Sequence, residues 1–317
     1  MFHTELCDLL GIQYPIIQGA MGGVSGPPLV AAVSNAGGLG VLASFGLSSA
    51  QLHDWIRETR ALTDKPFAVN IFAAEAGFIE TVTKVIIEER ITLVTTGRGD
   101  PRQPIVSMLK EHGIIVLPVV PTVRHALRLE AEGADAIIAS GTEAGGHIGT
   151  IATLPLIPQV VDAVKVPVVA AGGIGDARGF VAALALGACG VQIGTRFLAT
   201  HESGASLKQK ERVLEATEED AVPASMFTGR DVRGISTPAV EEWLRRQREG
   251  APLVELNVLA EKAIQKRRSG EEVSVAAGQI CGMIETIESA GDVIKGIIEE
   301  AAAICERVAL LPRRERP

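Results

Sequence analysis

A chain of 317 residues with 47% hydrophobic but only 3% aromatic side chains must fill its core with Val, Ile, Leu and Ala, which suits a sheet buried on both faces by helices. A formal charge of −8, with the basic residues of 245–268 interrupted by glutamates, argues against nucleic acid as a partner, since such binders carry a basic stripe. No apolar run reaches the ~18 residues of a membrane span, the start MFHTELCDLLGI lacks the apolar stretch of a secretion signal, and Cys7, Cys189, Cys281 and Cys305 fall in no metal-ligand spacing; a cytoplasmic protein with reduced thiols and no metal is expected.

Short apolar runs alternate with longer amphipathic ones along the first 200 residues. Strands are predicted at 16–18, 40–42, 67–70, 91–95, 114–119, 136–139, 168–171 and 190–193. Helices are predicted between them at 28–36, 49–62, 78–89, 104–111, 122–132, 156–164 and 177–186, several stopping at a glycine: Gly37, Gly113, Gly133 and Gly187. This alternation predicts an α/β fold with a parallel sheet and right-handed crossovers. Eight strands close a TIM (β/α)8 barrel; a doubly wound sheet, the alternative, usually carries fewer units. The barrel is expected over 1–200. Residues 201–270, polar and charged around Met226-Phe227-Thr228-Gly229, read as an inserted helical subdomain or lid. Residues 271–317 read as a C-terminal helical stretch from 273 to 308 returning to the barrel, with the small run Ala276-Ala277-Gly278-Gln279 on it and a frayed tail at 312–317.

Active sites of such barrels form where the strands end. The loops there carry Gln18-Gly19-Ala20-Met21, Asn70, Thr95-Thr96-Gly97, the run from Ser140 to Gly149, Gly172-Gly173 and Gly194-Thr195. Phosphates frequently bind between the last two loops against amides at a helix start, and Gly172, Gly173, Gly194 and Thr195 supply bare amides and a hydroxyl. Gln18, Asn70 and Gln192 each close an apolar run. Buried amides need partners, so the three are expected to meet the edge of a flat heteroaromatic ring, neighbouring backbone being the alternative. His147 lies in a glycine-rich loop where no packing role calls for it, and imidazole can pass a proton near neutrality. Glu143 either orients it or is solvated.

The run Glu143-Ala144-Gly145-Gly146-His147-Ile148-Gly149 resembles the signature of nitronate monooxygenases (2-nitropropane dioxygenases) and of the FMN-dependent type II enoyl-ACP reductases. Pro15-Ile16-Ile17-Gln18-Gly19-Ala20-Met21, Ala36-Gly37-Gly38-Leu39-Gly40, Pro66-Phe67-Ala68-Val69-Asn70, Ala170-Ala171-Gly172-Gly173-Ile174 and Val191-Gln192-Ile193-Gly194-Thr195-Arg196-Phe197 are similar to that family in the same order. The resemblance implies a TIM barrel carrying FMN. Its flavin ring would meet Gly19, Ala20, Met21 and Asn70, with Ser140 and Gly145 close by. Gly173, Gln192, Gly194 and Thr195 would hold the phosphate and ribityl end, beside Gly172. His147 matches the catalytic histidine.

Within the family, Gly22-Gly23-Val24-Ser25 and Val33-Ser34-Asn35 look more like the monooxygenases. Thr95-Thr96-Gly97 with Asp100-Pro101, then Pro118-Val119-Val120-Pro121, the short step from His147 to Thr153-Leu154, and Ala277-Gly278-Gln279-Ile280 look more like the reductases. Residues 201–270 match neither branch well. The resemblance implies oxidation of alkyl nitronates with O2. The alternatives are an enoyl-ACP reductase or a quinone reductase, which alone call for NADH or NADPH as electron donor. The expected partner is therefore a small molecule (nitronate, enoyl thioester or quinone), with no membrane and with room for a homodimer. A flavin-binding protein without turnover is disfavoured by the intact His147 loop.

Overall fold

The computed structural model describes residues 2–72, 76–97 and 104–310. Asp100-Pro101 and the tail at 312–317 lie outside the described residues.

Among the described residues eleven strands occur in chain order: β1 Ile16–Gln18, β2 Gly40–Ala43, β3 Phe67–Ile71, β4 Leu93–Thr96, β5 Ile115–Val120, β6 Ile137–Ser140, β7 Gly146–His147, β8 Val168–Ala171, β9 Gly190–Ile193, β10 Ala221–Ala224 and β11 Val232–Ile235. Eight of them form one parallel sheet in the order β1-β9-β8-β6-β5-β4-β3-β2. Its edges meet: Leu39 N donates to Ile16 O and Gln18 N to Leu39 O, both at 2.9 Å, bridging Ile17 to Leu39. The result is the expected TIM barrel.

Alternation along each strand divides the core in two. Ile17, Val41, Ala68, Leu93, Leu117, Ile138 and Val169 form one buried cluster, while their sequence neighbours Ile16, Leu42, Val69, Val94, Val116, Ile137 and Ala170 join a larger cluster with the surrounding helices. The first cluster also takes in Leu6, Cys7 and Leu10 from the helix Glu5–Leu10. That helix plugs the end of the barrel where the strands begin, and Thr4 Oγ1 donates to Cys189 O at 2.6 Å just before β9. Full burial of a Leu or Ile contributes roughly 1.5–3 kcal/mol, so closing this end stabilises the barrel and leaves the opposite mouth for chemistry.

The predicted helices form with shifts of a few residues at their ends. Gly37, Gly113, Gly133 and Gly187 stop them with φ between 71° and 97°, a backbone region open to glycine at little cost. β4 starts at Leu93 rather than at 91 because Ile91 N is bonded back to Ile86 O of the preceding helix. The helix expected from 156 begins earlier and runs Thr153–Ala163.

The segment after β9 departs from a purely helical reading. Helices Leu207–Glu215, Pro238–Arg248 and Leu253–Ser269 are present, but β10 and β11 form an antiparallel pair between the first two. Each strand is only four residues long, and a proline and a glycine interrupt the apolar alternation that would have announced it. This segment has its own small core of Ala224, Met226, Val240, Trp243, Leu256, Ala260 and Ala263, and Trp243 Nε1 donates to Leu256 O at 3.1 Å.

The last helix is also shorter than expected, Ala290–Ala309. Ahead of it lies extended chain with one 3-10 turn, Gln279–Met283, so Ala276, Ala277 and Gly278 are not on a helix. Contacts with the barrel mouth fix these residues instead of helix propensity. The last helix packs on helices Pro27–Asn35 and Ala177–Ala185 outside the barrel.

Candidate active site

All the glycine-rich loops singled out above gather at the strand ends. Gly19, Ala20 and Met21 follow β1. Gly19 N donates to Ile193 O at 2.8 Å, and Met21 N to Ser25 Oγ at 2.9 Å. Gln192 on β9 lies against Gly19, its Cγ 3.5 Å from where a Cβ would stand. Its side-chain amide has no hydrogen-bond partner among the described residues, so it is open to a ligand. Asn70 uses its Nδ2 on Thr95 Oγ1, at 2.9 Å, and keeps its Oδ1 free among the described residues.

Gln18 does not belong with them. Its Oε1 accepts from Val41 N at 3.0 Å, while its Nε2 donates to Ser25 Oγ at 2.8 Å and to Gly19 O. The side chain is fully buried and spent on stitching β1 to β2, the outcome that burial of an amide usually imposes.

The amides of Gly172, Gly173, Gly194 and Thr195 make no hydrogen bond among the described residues. Gly172 and Gly173 are both left-handed, at φ 91° and 72°, a conformation in which successive N–H groups can converge on an anion. Thr195 Oγ1 accepts from Gly278 N at 2.9 Å, which leaves its proton to donate. The neighbouring helix start contributes nothing to an anion site. Asp176 caps helix Ala177–Ala185, accepting from Arg178 N at 2.9 Å and Gly179 N at 3.2 Å, so its dipole is already matched by a carboxylate. Arg196 is equally committed: it bonds Thr286 O at 3.0 Å and Glu288 at 2.5 Å.

The loop bearing His147 is gripped from two sides. On one side Gly146-His147 is β7, the outer strand of a three-stranded sheet in the order β10-β11-β7, with His147 opposite Val232 and Gly146 opposite Arg233. Ile148 N adds a bond to Asp231 O at 3.1 Å. The buried Arg233 reinforces the pairing: its Nε donates to Thr142 O at 3.0 Å and its Nη1 to Ala221 O. Burial lowers the guanidinium pKa and the charge of Glu143 opposes that shift. On the other side the extended chain at Ala277-Gly278 presses on Gly145. A Cβ there would stand 2.7 Å from Ala277 C and 2.8 Å from Gly278 N, so only glycine fits. Gln279 N donates to Glu143 O at 3.0 Å.

Glu143 is not merely solvated. Its carboxylate accepts from Thr153 N at 3.0 Å and Thr153 Oγ1 at 2.9 Å. It thereby caps a helix whose own N-cap, Ala152, has no side chain to do so, which explains the early helix start.

Ser140, buried at the end of β6, completes the rim. His147 is half-buried, and its ring centroid is 5.9 Å from that of Phe72. Arg233, Phe72 and the Ala277-Gly278 contact escaped the sequence reading. The only local signal was a charged residue amid the β-branched run Val232-Arg233-Gly234-Ile235.

Comparison with known proteins agrees with the barrel fold. Residues 3–300 match the nitronate monooxygenase family. FabK from Thermotoga maritima superposes with a TM-score of 0.89 at 38% identity, over 97% of this chain and 98% of that one. A nitroalkane oxidase from Streptomyces ansochromogenes gives 0.81 at 32% identity, over 96% and 99%. The (3aS,4S,5R,7aS)-5-hydroxy-7a-methyl-1-oxo-octahydro-1H-indene-4-carboxyl-CoA dehydrogenase of Rhodococcus jostii (strain RHA1) is 42% identical over 238 residues, 75% of this chain and 67% of that protein. Barrel, mouth and relatives together define an oxidoreductase. The chain belongs to the nitronate monooxygenase family.

Proposed function

We propose that this protein is an FMN-dependent oxidoreductase that oxidises alkyl nitronates with O2, with His147 as its catalytic residue. The observation carrying this reading is the placement of His147 by main-chain pairing at the same barrel mouth as four free amides.

FMN fits the residues present. Gly172, Gly173, Gly194 and Thr195 would hold its phosphate through unused amides and the Thr195 hydroxyl proton. Gln192 offers its unspent amide, and Asn70 its Oδ1, to the ribityl chain and the ring edge. The main chain of Gly19, Ala20 and Met21 would support the ring, with Ser140 and Gly145 beside it. When bound, FMN supplies the electron transfer that no side chain here can perform. His147 would hydrogen-bond the nitro oxygens and hold the proton that moves as charge leaves the substrate. Its main chain is fixed, so the imidazole swings only about its side-chain torsions, which limits the orientation lost between turnovers.

A second reading, reduction of an enoyl thioester by NADH or NADPH, is favoured by the likeness to the CoA-ester dehydrogenase of Rhodococcus. Quinone reduction would use the same face. Anaerobic bleaching of the purified yellow protein separates them: a nitronate alone bleaches the flavin of a monooxygenase, whereas a nicotinamide bleaches that of a reductase. His147→Ala is expected to keep its FMN and lose about 10²–10⁴-fold in turnover. Retained turnover, or a colourless protein that cannot be reconstituted with FMN, would refute the proposal.

A further inference from the structure

Aromatic side chains are scarce in this chain: eight Phe, two Trp and one Tyr. Two of the phenylalanines nonetheless meet at the barrel mouth. Phe45 lies just past β2 and Phe72 directly after β3, with ring centroids 4.8 Å apart in an edge-on arrangement at 62°. Phe72 in turn lies 5.9 Å from His147. Glycines bring the neighbouring loops up to the pair: the Cβ position of Gly22, after β1, is 3.1 Å from Phe45 Cδ1, and that of Gly97, after β4, is 3.3 Å from Phe72 Cδ2. The strip is set in place from below, since the buried Ser44 donates to Asn70 O at 2.6 Å and ties the two loops together. Phe45 is 55% exposed, leaving an apolar face uncovered in a chain whose other rings are all at least partly buried.

We infer that Phe72 and Phe45 form an apolar subsite for the hydrocarbon part of the substrate, with the reacting polar head at His147. The inference rests on the reading of His147 as the catalytic residue and extends it to the substrate class: a nitronate or thioester bearing a medium-length alkyl chain or fused ring. The occupant follows from continuity. The strip begins at His147 and runs 5.9 Å to Phe72, then a further 4.8 Å to Phe45. A short chain anchored at His147 reaches only Phe72; a longer one also covers Phe45. The edge-on rings present a face and an edge in succession, a surface that accepts CH groups along its whole length.

The test is chain-length dependence in the FMN-loaded enzyme, using primary nitronates of two to eight carbons and trans-2-enoyl thioesters of four to ten. In the wild type, kcat/KM is expected to rise about two- to fourfold per added methylene until the chain passes Phe45. In Phe45→Ala the loss should grow with chain length, to roughly tenfold for the longest substrates, whereas Phe72→Ala should depress short and long substrates alike. FMN content and dithionite bleaching of both variants confirm intact folding. Calorimetric binding of unreactive alkyl carboxylates of four to ten carbons reads the same subsite without turnover. The subsite therefore stands or falls separately from the nitronate chemistry: affinity rising with length in the wild type and flattened in Phe45→Ala supports it even if no nitronate reacts. A length-independent affinity, or equal losses at all lengths in Phe45→Ala, would overturn it.

Discussion

Replacing Arg233 by Met tests how the His147 segment is held. The side chain is 7% exposed, and its Nε and Nη1 bind the carbonyls of Thr142 and Ala221. Bonds from a charged donor contribute about 1.5–3 kcal/mol each, but Met also relieves the cost of burying a guanidinium, which offsets much of that gain. What remains is chiefly the orphaned Ala221 carbonyl, on a buried residue, and part of the Thr142 carbonyl, on a half-buried one. At about 1–3 kcal/mol per stranded group, a net loss of about 2–4 kcal/mol is expected. With ~2.1 cal/mol/K of unfolding entropy per residue, that lowers the melting temperature by roughly 3–6 °C. The sharper consequence is kinetic. β7 is only two residues long, so freeing the Thr142 end loosens His147 directly, and kcat is expected to fall about 10–100-fold with KM nearly unchanged. FMN should remain bound, because its proposed contacts lie on the barrel loops. Arg233→Lys, able to reach one of the two carbonyls, should recover part of kcat. Stopped-flow turnover, flavin absorbance and calorimetry measure all of this. A Met variant with wild-type kcat and melting temperature would refute the idea that Arg233 positions the histidine.

Two further outcomes concern parts remote from the mouth. Glu89 binds His53 at 2.7 Å, Arg57 at 3.0 Å and Arg60 at 2.8 Å, and these bonds, chiefly that from His53, hold its carboxyl below the ordinary 4.5 against the opposing effect of burial. A depressed folded pKa contributes stability above the unfolded value and loses it as pH falls through the folded one. Glu89→Gln should therefore cost about 1 kcal/mol near neutrality, its partners being partly exposed, and the gap from wild type should close below pH 4.5 in urea titrations; a gap independent of pH would contradict this. Among the thiols, Cys7, Cys189 and Cys281 are buried and Cys305 is exposed, with burial pushing Cys189 up to about 12. Ellman's reagent should titrate one thiol in the native protein and four after unfolding; rapid labelling of a second native thiol would disprove the burial.

The barrel was legible because its strands are buried on both faces and its helices end at glycines, so each unit leaves a short apolar run and a stop that can be read locally. The loop glycines were legible for a similar reason: bare amides and left-handed turns are properties of the residue itself. What stayed hidden depends on distant partners. Nothing in Gln18 announces that Val41 N will occupy its carbonyl, and nothing in Glu143 announces a helix start ten residues on. The stretch at 276–278 carries helix-compatible residues, yet packing against Gly145 and Thr195 fixes it as extended chain, a case of tertiary contact overriding local preference. A two-residue strand such as β7 has no period to detect.

The attachment of His147 to β11 runs through main-chain pairing, with Arg233 as a side-chain brace. Backbone ladders read no side-chain identity beyond the exclusion of proline. The helices that follow the hairpin, whose core around Trp243 also takes in Ala224 and Met226 of the hairpin, can thus accumulate substitutions away from that seam while the histidine stays where it is. In engineering terms residues 238–269 form an exchangeable cassette: helices from a relative with a different substrate could be grafted behind the same two strands, provided the hairpin keeps its length, and the graft would inherit a histidine already in position.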